Sequence, residues 1–474
     1  MADKAETGPV PLPLLVHTTE ARLKARIDLH IVPYLCLLYL LAFLDRVNVA
    51  NARAFGLERD LGLEGVQYNT ALTVFFVGYV LLEIPSNILL KRFSPRVWLS
   101  LCCLGFGLVS VCQGLVQNYA GLVTTRFLLG VFECGMFPGC FYVLGMWYRR
   151  DEAQKRYSLF FSSTSLAGAF GGLLASAIGK MDGLRGYRGW RWIFILEGAL
   201  TLALGLVFLF TLPSFPEQAG WLTAEERAYL QARLEADQGR SAAERKLAFA
   251  DVGRVLRDYK IWLGGLMYLG LVVPAYGFAY FAPAILASYH YGPVQTQLHS
   301  VPPWAVAFAV AMLVAVLSDR ARHRFLFSLV SIAVAVAGFA ILLNVHDDVA
   351  AEYGALFLVV AGTFSAMPVI VCWFNMNLGG HRRRAIGTAW QIGFGNIGGI
   401  VATYSFLSTD APLYRKGYAT SIAFCCLSGA ACVVYAACIT WENRRRRETA
   451  QGVGLTEDEK AELGDLSPDF RYML

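Results

Sequence analysis

The chain has 474 residues, of which 56% are hydrophobic and 16% charged, with a net charge of +6. Soluble proteins carry about a quarter charged residues, so this composition and a mean hydropathy of +0.48 exclude that class. The excess Lys and Arg gather in short segments between apolar blocks, a topology signal that excludes nucleic-acid binding as their explanation.

Residues 1–27 are polar and end in Arg22, Lys24 and Arg26, with no apolar run and no small-residue cleavage site. They read as a cytoplasmic tail, so the first apolar block acts as its own insertion signal. Roughly 20 apolar residues cross a bilayer as a helix. Twelve such blocks follow, near 28–51, 69–90, 97–117, 122–147, 157–179, 191–212, 260–288, 301–318, 325–344, 353–377, 385–407 and 418–440. The bias of Lys and Arg among the loops predicts that both termini are cytoplasmic. RRRR at 444–447 then anchors the last helix.

These blocks define an all-α integral membrane fold of twelve transmembrane helices in two pseudo-symmetric halves. Residues 28–212 form an N-terminal six-helix bundle, 213–259 a cytoplasmic linker, 260–440 a C-terminal six-helix bundle and 441–474 a cytoplasmic tail. Within the linker, WLTAEERAYLQARLEAD (221–237) has Thr223 and Glu226 at capping-box spacing. Leu222, Ala228, Leu230 and Leu234 form an apolar stripe, so the segment reads as a surface amphipathic helix.

The halves echo each other. The second helix of the first half leaves as PSNILLKRFSPR and its counterpart as VLSDRARHRF, each with a basic cluster on the inner face. The fifth helices carry SLAGAFGGLLASAIG and IGFGNIGGIVATY. Small residues let helix backbones approach closely in lipid, so these helices are expected to pack the halves together and let them move. Two repeated halves around a central site is a recurrent transporter plan. All 11 cysteines fall inside predicted helices, as small packing residues and not a disulfide framework or metal spacing.

Asp45, Arg46, Glu83, Arg126, Glu133 and Glu197 are charged residues within or at the ends of the spans, all in the first half. The second half offers uncharged polar groups: Tyr276 and Tyr280 on helix seven, Trp373, Asn375 and Asn377 on helix ten, Gln391 and Asn396 on helix eleven. A charge in the bilayer costs several kcal/mol unless it faces the bundle interior or a wet cavity. Arg126 and Glu133 are seven residues apart, roughly 10 Å along one helix face. If helix one packs beside helix four, Asp45, Arg46, Arg126 and Glu133 form one polar lining whose formal charges cancel. The alternative is a pair of structural ion pairs. Glu83, near the inner end of helix two, and Glu197, at the outer end of helix six, read as structural or gating groups.

A neutral lining suggests a mechanism. An entering carboxylate, held through a forked pair of hydrogen bonds by Arg46 or Arg126, leaves the site at a net −1 in low dielectric. Protonating Asp45 or Glu133 restores neutrality, so anion and proton uptake become linked, each tightening the other.

The chain resembles the major facilitator superfamily and, within it, the fungal anion:cation symporters typified by allantoate and nicotinate permeases. The resemblance rests on FLDRVNVANA (43–52), GYVLLEIPSNILLKRFSPR (78–96), RFLLGVFECGMFPG (126–139), SLFFSSTSLAGAFGGLLA (158–175), GWRWIFILEGALT (189–201), WLTAEER (221–227), QIGFGNIGGI (391–400) and SPDFRYML (467–474). The wider group includes vesicular glutamate transporters, sialin and bacterial sugar-acid symporters. It implies a carboxylate-binding role for Arg46 and proton coupling at Asp45 and Glu133, and Arg126 matches its helix-four arginine. The animal relatives carry a further arginine on helix seven, where this chain has Tyr276-Gly277-Phe278, which points to a monoanionic substrate. The inner turn LSDRARHRF also departs from the usual glycine-bearing DRxGRR form.

The expected function is proton-coupled symport of a small organic monocarboxylate by alternating access, from a plasma-membrane location, by a monomer. It needs no cofactor beyond the proton gradient; its partners are the anion, H+ and the bilayer. Substrate-binding candidates are Arg46, Arg126, Tyr276, Trp373, Asn375 and Gln391; proton-coupling candidates are Asp45 and Glu133. Gating or structural candidates are Glu83, Lys91, Arg92, Asp319 and Arg320. Proton-driven export of an acidic metabolite is the alternative, and a non-transporting nutrient sensor a remote one. A membrane-embedded enzyme is disfavoured, because all seven histidines fall in loops or at helix ends with no metal or catalytic spacing.

Overall fold

In a computed structural model the chain is described at residues 18–238, 249–346, 348–379, 381–449 and 470–474, and among these residues no β-strand occurs. The first half comprises α1 (Glu20–Ala54), α2 (Leu57–Asp60), α3 (Gln67–Arg92), α4 (Pro95–Gly114), α5 (Tyr119–Glu133), α6 (Met136–Trp147), α7 (Arg150–Ile178) and α8 (Gly189–Thr211). The linker holds α9 (Ala224–Gln238) and α10 (Phe249–Leu256). The second half comprises α11 (Tyr259–Ala287), α12 (Pro293–Ala321), α13 (Arg324–Asn344), α14 (Val349–Met376), α15 (His381–Ser405) and α16 (Arg415–Thr449).

All twelve expected blocks fall in helix, with three differences. The fourth block is two helices, α5 and α6, parted at Cys134–Gly135. The eighth begins at Pro293, because the polar run 295–300 and Pro302-Pro303 are helical despite breaking the apolar pattern. The last helix runs to Thr449, so the basic cluster 444–447 extends it and does not follow it. Helix starts are fixed by side-chain caps that satisfy orphan backbone donors. Asn118 accepts from Gly121 N at 2.9 Å and Asp258 from Lys260 N at 2.9 Å.

Among the described residues ten helices are long and apolar enough to cross a membrane, counting α5 with α6 as one. The two long helices outside that set, α3 and α15, pack against each other between the halves. Other contacts between halves run from α7 to α12 and α14 and from α1 to α11. The two glycine-rich helices serve this seam. Gly168 of α7 abuts the Trp304 ring, and Gly399 of α15 abuts Phe76, so neither position has room for a side chain.

One end of the bundle carries the linker and residues 470–474; we call it the basic face. Here α9 docks on the first half. Its expected capping box is present: Thr223 N donates to Glu226 Oε2 at 2.9 Å and Glu226 N to Thr223 Oγ1 at 3.2 Å. Arg233 donates to Glu152 Oε1 at 2.5 Å, which also pairs with Lys24 at 2.6 Å. Burial opposes charge on Glu152, yet these two partners outweigh it and hold its carboxyl below the ordinary value. Residues 470–474 dock on the second half in the same way. Asn377 exchanges two hydrogen bonds with the Met473 backbone, and Asn443 two with that of Tyr472.

At the opposite, far face the halves are tied by polar contacts. Asn69 Nδ2 donates to Thr403 O at 2.5 Å, Thr73 and Thr403 hydroxyls lie 2.6 Å apart, and Arg53 donates to Ser408 Oγ at 3.0 Å.

Candidate substrate site

The site begins on α1. Adjacent helix positions are about 100° apart around the axis, so Asp45 and Arg46 point to different neighbours. Asp45 turns into its own half. Its oxygens accept from Ser110 Oγ of α4 at 3.0 Å and Thr201 Oγ1 of α8 at 3.1 Å. One turn on, Asn48 donates to Glu197 Oε2 at 2.6 Å.

Arg46 turns to the seam. Its Nε and Nη2 donate to the same oxygen of Glu133, at 2.9 and 2.6 Å. Its Nη1 donates to the Tyr276 hydroxyl of α11, a bond that joins the two halves. The guanidinium lies over the rings of Phe75 and Tyr79 at 5.0 and 5.3 Å, a cation–π arrangement. These rings reach Arg46 because α3 and α5 nearly touch: Gly130 lies against the Phe75 backbone, where any Cβ would collide.

Arg126 sits on the same side of α5 as Glu133, as their spacing requires. It is fully buried, and its Nη1 donates to the Arg46 carbonyl at 3.0 Å. Among the described residues its Nε and Nη2 have no hydrogen-bond partner; nor do Glu133 Oε1 and the Tyr280 hydroxyl. Tyr280 is Arg126's foremost electrostatic neighbour and stacks on Tyr276 with ring centroids 5.5 Å apart. A buried polar group left unpaired costs about 1–3 kcal/mol. Arg126, Glu133 and Tyr280 bring several such groups together. The available donors are a guanidinium edge and a phenol, which suit a carboxylate.

A family model, the Major Facilitator Superfamily, matches residues 35–403. The chain belongs to the major facilitator superfamily. Members of this superfamily are membrane transporters and not enzymes, so a multi-pass transporter is the class of this protein. The MFS-type transporter cnsO of Penicillium expansum is 34% identical over 473 residues, covering 96% of this chain and 90% of its own. The major facilitator-type transporter hxnP of Emericella nidulans is 33% identical, covering 95% and 92%. The high-affinity nicotinic acid transporter of Saccharomyces cerevisiae is 31% identical, covering 100% and 88%. Among solved structures, a bacterial homolog of the human lysosomal transporter Spinster, in an inward-facing and unoccupied conformation, superposes with a TM-score of 0.63 at 16% identity. It covers 86% of this chain and 96% of that one. That likeness shows the fold.

Against this major facilitator frame, the expected residues separate. Arg46, Arg126, Glu133 and Tyr276 form one cluster, with Asp45 behind it. Trp373, Asn375 and Gln391 make no hydrogen bond to this cluster among the described residues, and their bonds lie elsewhere. Trp373 Nε1 donates to the Met473 carbonyl at 2.8 Å. Asn375 donates to Val371 O at 2.8 Å and accepts from the Thr388 hydroxyl. Gln391 Nε2 donates to Gly264 O at 3.2 Å. Trp373 and Asn375 occupy the last turn of α14 at the basic face, where their polar atoms serve the docked segment and neighbouring helices. Glu83 is buried at the α3–α15 seam. Asp319 accepts from Arg324 at 3.5 Å and has Lys155 of the other half as an electrostatic neighbour. Arg92 and Arg320 are exposed, and the Lys91 side chain lies outside the described residues. Sequence reasoning missed Phe75, Phe76 and Tyr79. Their signal was FFxxY, which puts Phe75 and Tyr79 one turn apart on one face of α3.

Proposed function

We propose that this transporter carries a small organic monocarboxylate together with a proton by alternating access. The basic face is cytoplasmic, and the protein works as a monomer in the plasma membrane. One observation carries the reading: Arg46 is paired with the buried carboxylate of Glu133 at the seam, and two nitrogens of the neighbouring buried Arg126 are left open, among the described residues, beside an unpaired phenol. A substrate carboxylate accepts from Arg126 and Tyr280 there. It brings one negative charge into a set whose formal charges already cancel, with Arg46 and Arg126 against Asp45 and Glu133. A proton on Glu133 removes the excess and loosens the Arg46–Glu133 pair. Arg46 is then released toward the substrate, and the Arg46–Tyr276 bond between halves is exposed to competition. Anion, proton and rocking motion are thereby coupled.

Nicotinic acid, named for the yeast relative, is a monocarboxylic acid, in keeping with a single forked anchor and no cation on α11 near Tyr276. Proteoliposome uptake of organic acids, with and without an inward proton gradient, tests the reading. The expected result is accumulation of monocarboxylates only with the gradient. Equal uptake without it, or equal uptake of neutral analogues, overturns the proposal.

A further inference from the structure

Glu83 lies outside the charged cluster and has no part in the mechanism above. It is only 2% exposed, and among the described residues neither carboxyl oxygen has a hydrogen-bond partner. It faces α15 of the other half so closely that a Cβ built on Gly393 would stand 2.9 Å from Glu83 Oε2. The groups with which it interacts electrostatically are Tyr79 on its own helix, Cys134 between α5 and α6, and Tyr268 on α11. From α15, residues 385–405 bring Trp390, Gln391 and Asn396 but no charge. On α1, Arg46 packs on Tyr79, one turn away, but its nitrogens are engaged by Glu133 and Tyr276. On α3 itself, Lys91 and Arg92 lie roughly 12 Å or more along the axis.

An ionised carboxylate without donors in apolar surroundings costs several kcal/mol, more than the neutral acid left unpaired. The seam therefore closes over the acid and not over the carboxylate. Parting of α3 and α15 admits water, and the proton can then leave.

We propose that Glu83 is a second proton-binding site, separate from the anion cluster, whose protonation is required for α3 and α15 to close against each other. This rests on the rocking of the two halves proposed above, but not on what is carried. Acid then favours the closed seam, and the seam opens as pH rises and the proton is lost. Gly393 is the complementary part of the device, since a Cβ there would press on the carboxyl at 2.9 Å and push it from the α15 backbone.

The test uses the purified full chain without substrate. Hydrogen exchange over 67–92 and 381–405 is followed across pH and corrected for the intrinsic pH dependence of exchange. In the unmodified protein, protection at this seam should fall as pH rises. Glu83→Gln, which keeps the shape but cannot ionise, should keep the seam protected at every pH. A pH response equal to that of the unmodified protein overturns the proposal. Should that variant fail to fold, Gly393→Ala decides: protection should be low throughout and its pH response weakened, whereas an unmodified response overturns the proposal. A pH-dependent seam in a protein that takes up no organic acid would support this site while rejecting the carboxylate reading.

Discussion

The two halves share an architecture and divide the physics. Every charged residue buried in mid-span, namely Asp45, Arg46, Glu83, Arg126, Glu133 and Glu197, belongs to the first half. The buried cations of the second half, Lys260 and Arg324, sit at helix starts on the basic face, paired with Glu442 and Asp319. What the second half brings to the seam is shape: the stacked Tyr276 and Tyr280, the Trp304 ring and the glycines of α15. One half thus holds charge, and the other closes over it. With both partners in one half, a movement between the halves does not by itself pull the pair apart, which matters because breaking a buried pair without compensation costs about 3–5 kcal/mol.

The severest way to break this division is Arg46→Ala. It strands Glu133 and removes the hydrogen bond from the cluster to Tyr276 of α11. The expected cost is about 3–5 kcal/mol of stability, read as a lower unfolding temperature in detergent, with loss of organic-acid binding. Arg46→Lys should restore part of the stability but not transport, because an ammonium cannot reproduce the fork that spans Glu133 and Tyr276.

Glu133→Gln should come next. The amide keeps the shape and one acceptor for Arg46 but cannot take a proton. Uptake should lose its dependence on the proton gradient, while exchange of labelled for unlabelled anion across the bilayer persists. In the unmodified protein anion affinity should rise as pH falls, since the proton offsets the incoming charge. In the variant that rise should disappear; an unchanged pH profile would assign the coupling proton to Asp45 instead.

The legible and illegible parts of this protein differ for a physical reason. Lipid offers no partner to a bare backbone, so membrane helices announce themselves by length and apolarity: all twelve blocks fall in helix, and ten helices among the described residues meet both criteria. Buried charges are equally visible, because in an apolar run they are unexplained until given a partner. Which partner is harder to read. Asp45 and Arg46 are neighbours in sequence, yet one turns to Ser110 and Thr201 and the other to Glu133 and Tyr276. Only the packing around α1 decides that. Trp373 and Asn375 are hard to read because a polar side chain near the end of a span looks the same whether it serves a ligand or a backbone. Here Trp373 serves the backbone of Met473, a hundred residues away.

A smaller effect sharpens the contribution of the second half. Tyr276→Phe removes the hydroxyl that accepts from Arg46 and leaves the ring stack and the Phe76 edge contact in place. Hydrogen bonds to charged groups are worth about 1.5–3 kcal/mol. The variant should therefore fold, with anion affinity altered by about tenfold or more at 1.4 kcal/mol per decade. If the hydroxyl acts only as a latch between the halves, exchange should quicken while affinity stays constant, and the two readouts separate these roles.

The smallest effect is expected at Trp373, and it tests the division from the other side. Trp373→Phe deletes one hydrogen bond to the Met473 carbonyl, worth about 1 kcal/mol, together with part of the edge contact to Tyr435 at 5.0 Å. Stability should fall slightly, and protease access to residues 470–474 should rise. The KM for organic-acid uptake should not move, because the indole is bonded to the docked segment at the basic face and not to the Arg46–Glu133 cluster. A KM that rose while the segment stayed protected would place Trp373 on the substrate path and give the second half a polar contact with the cargo beyond that of Tyr280.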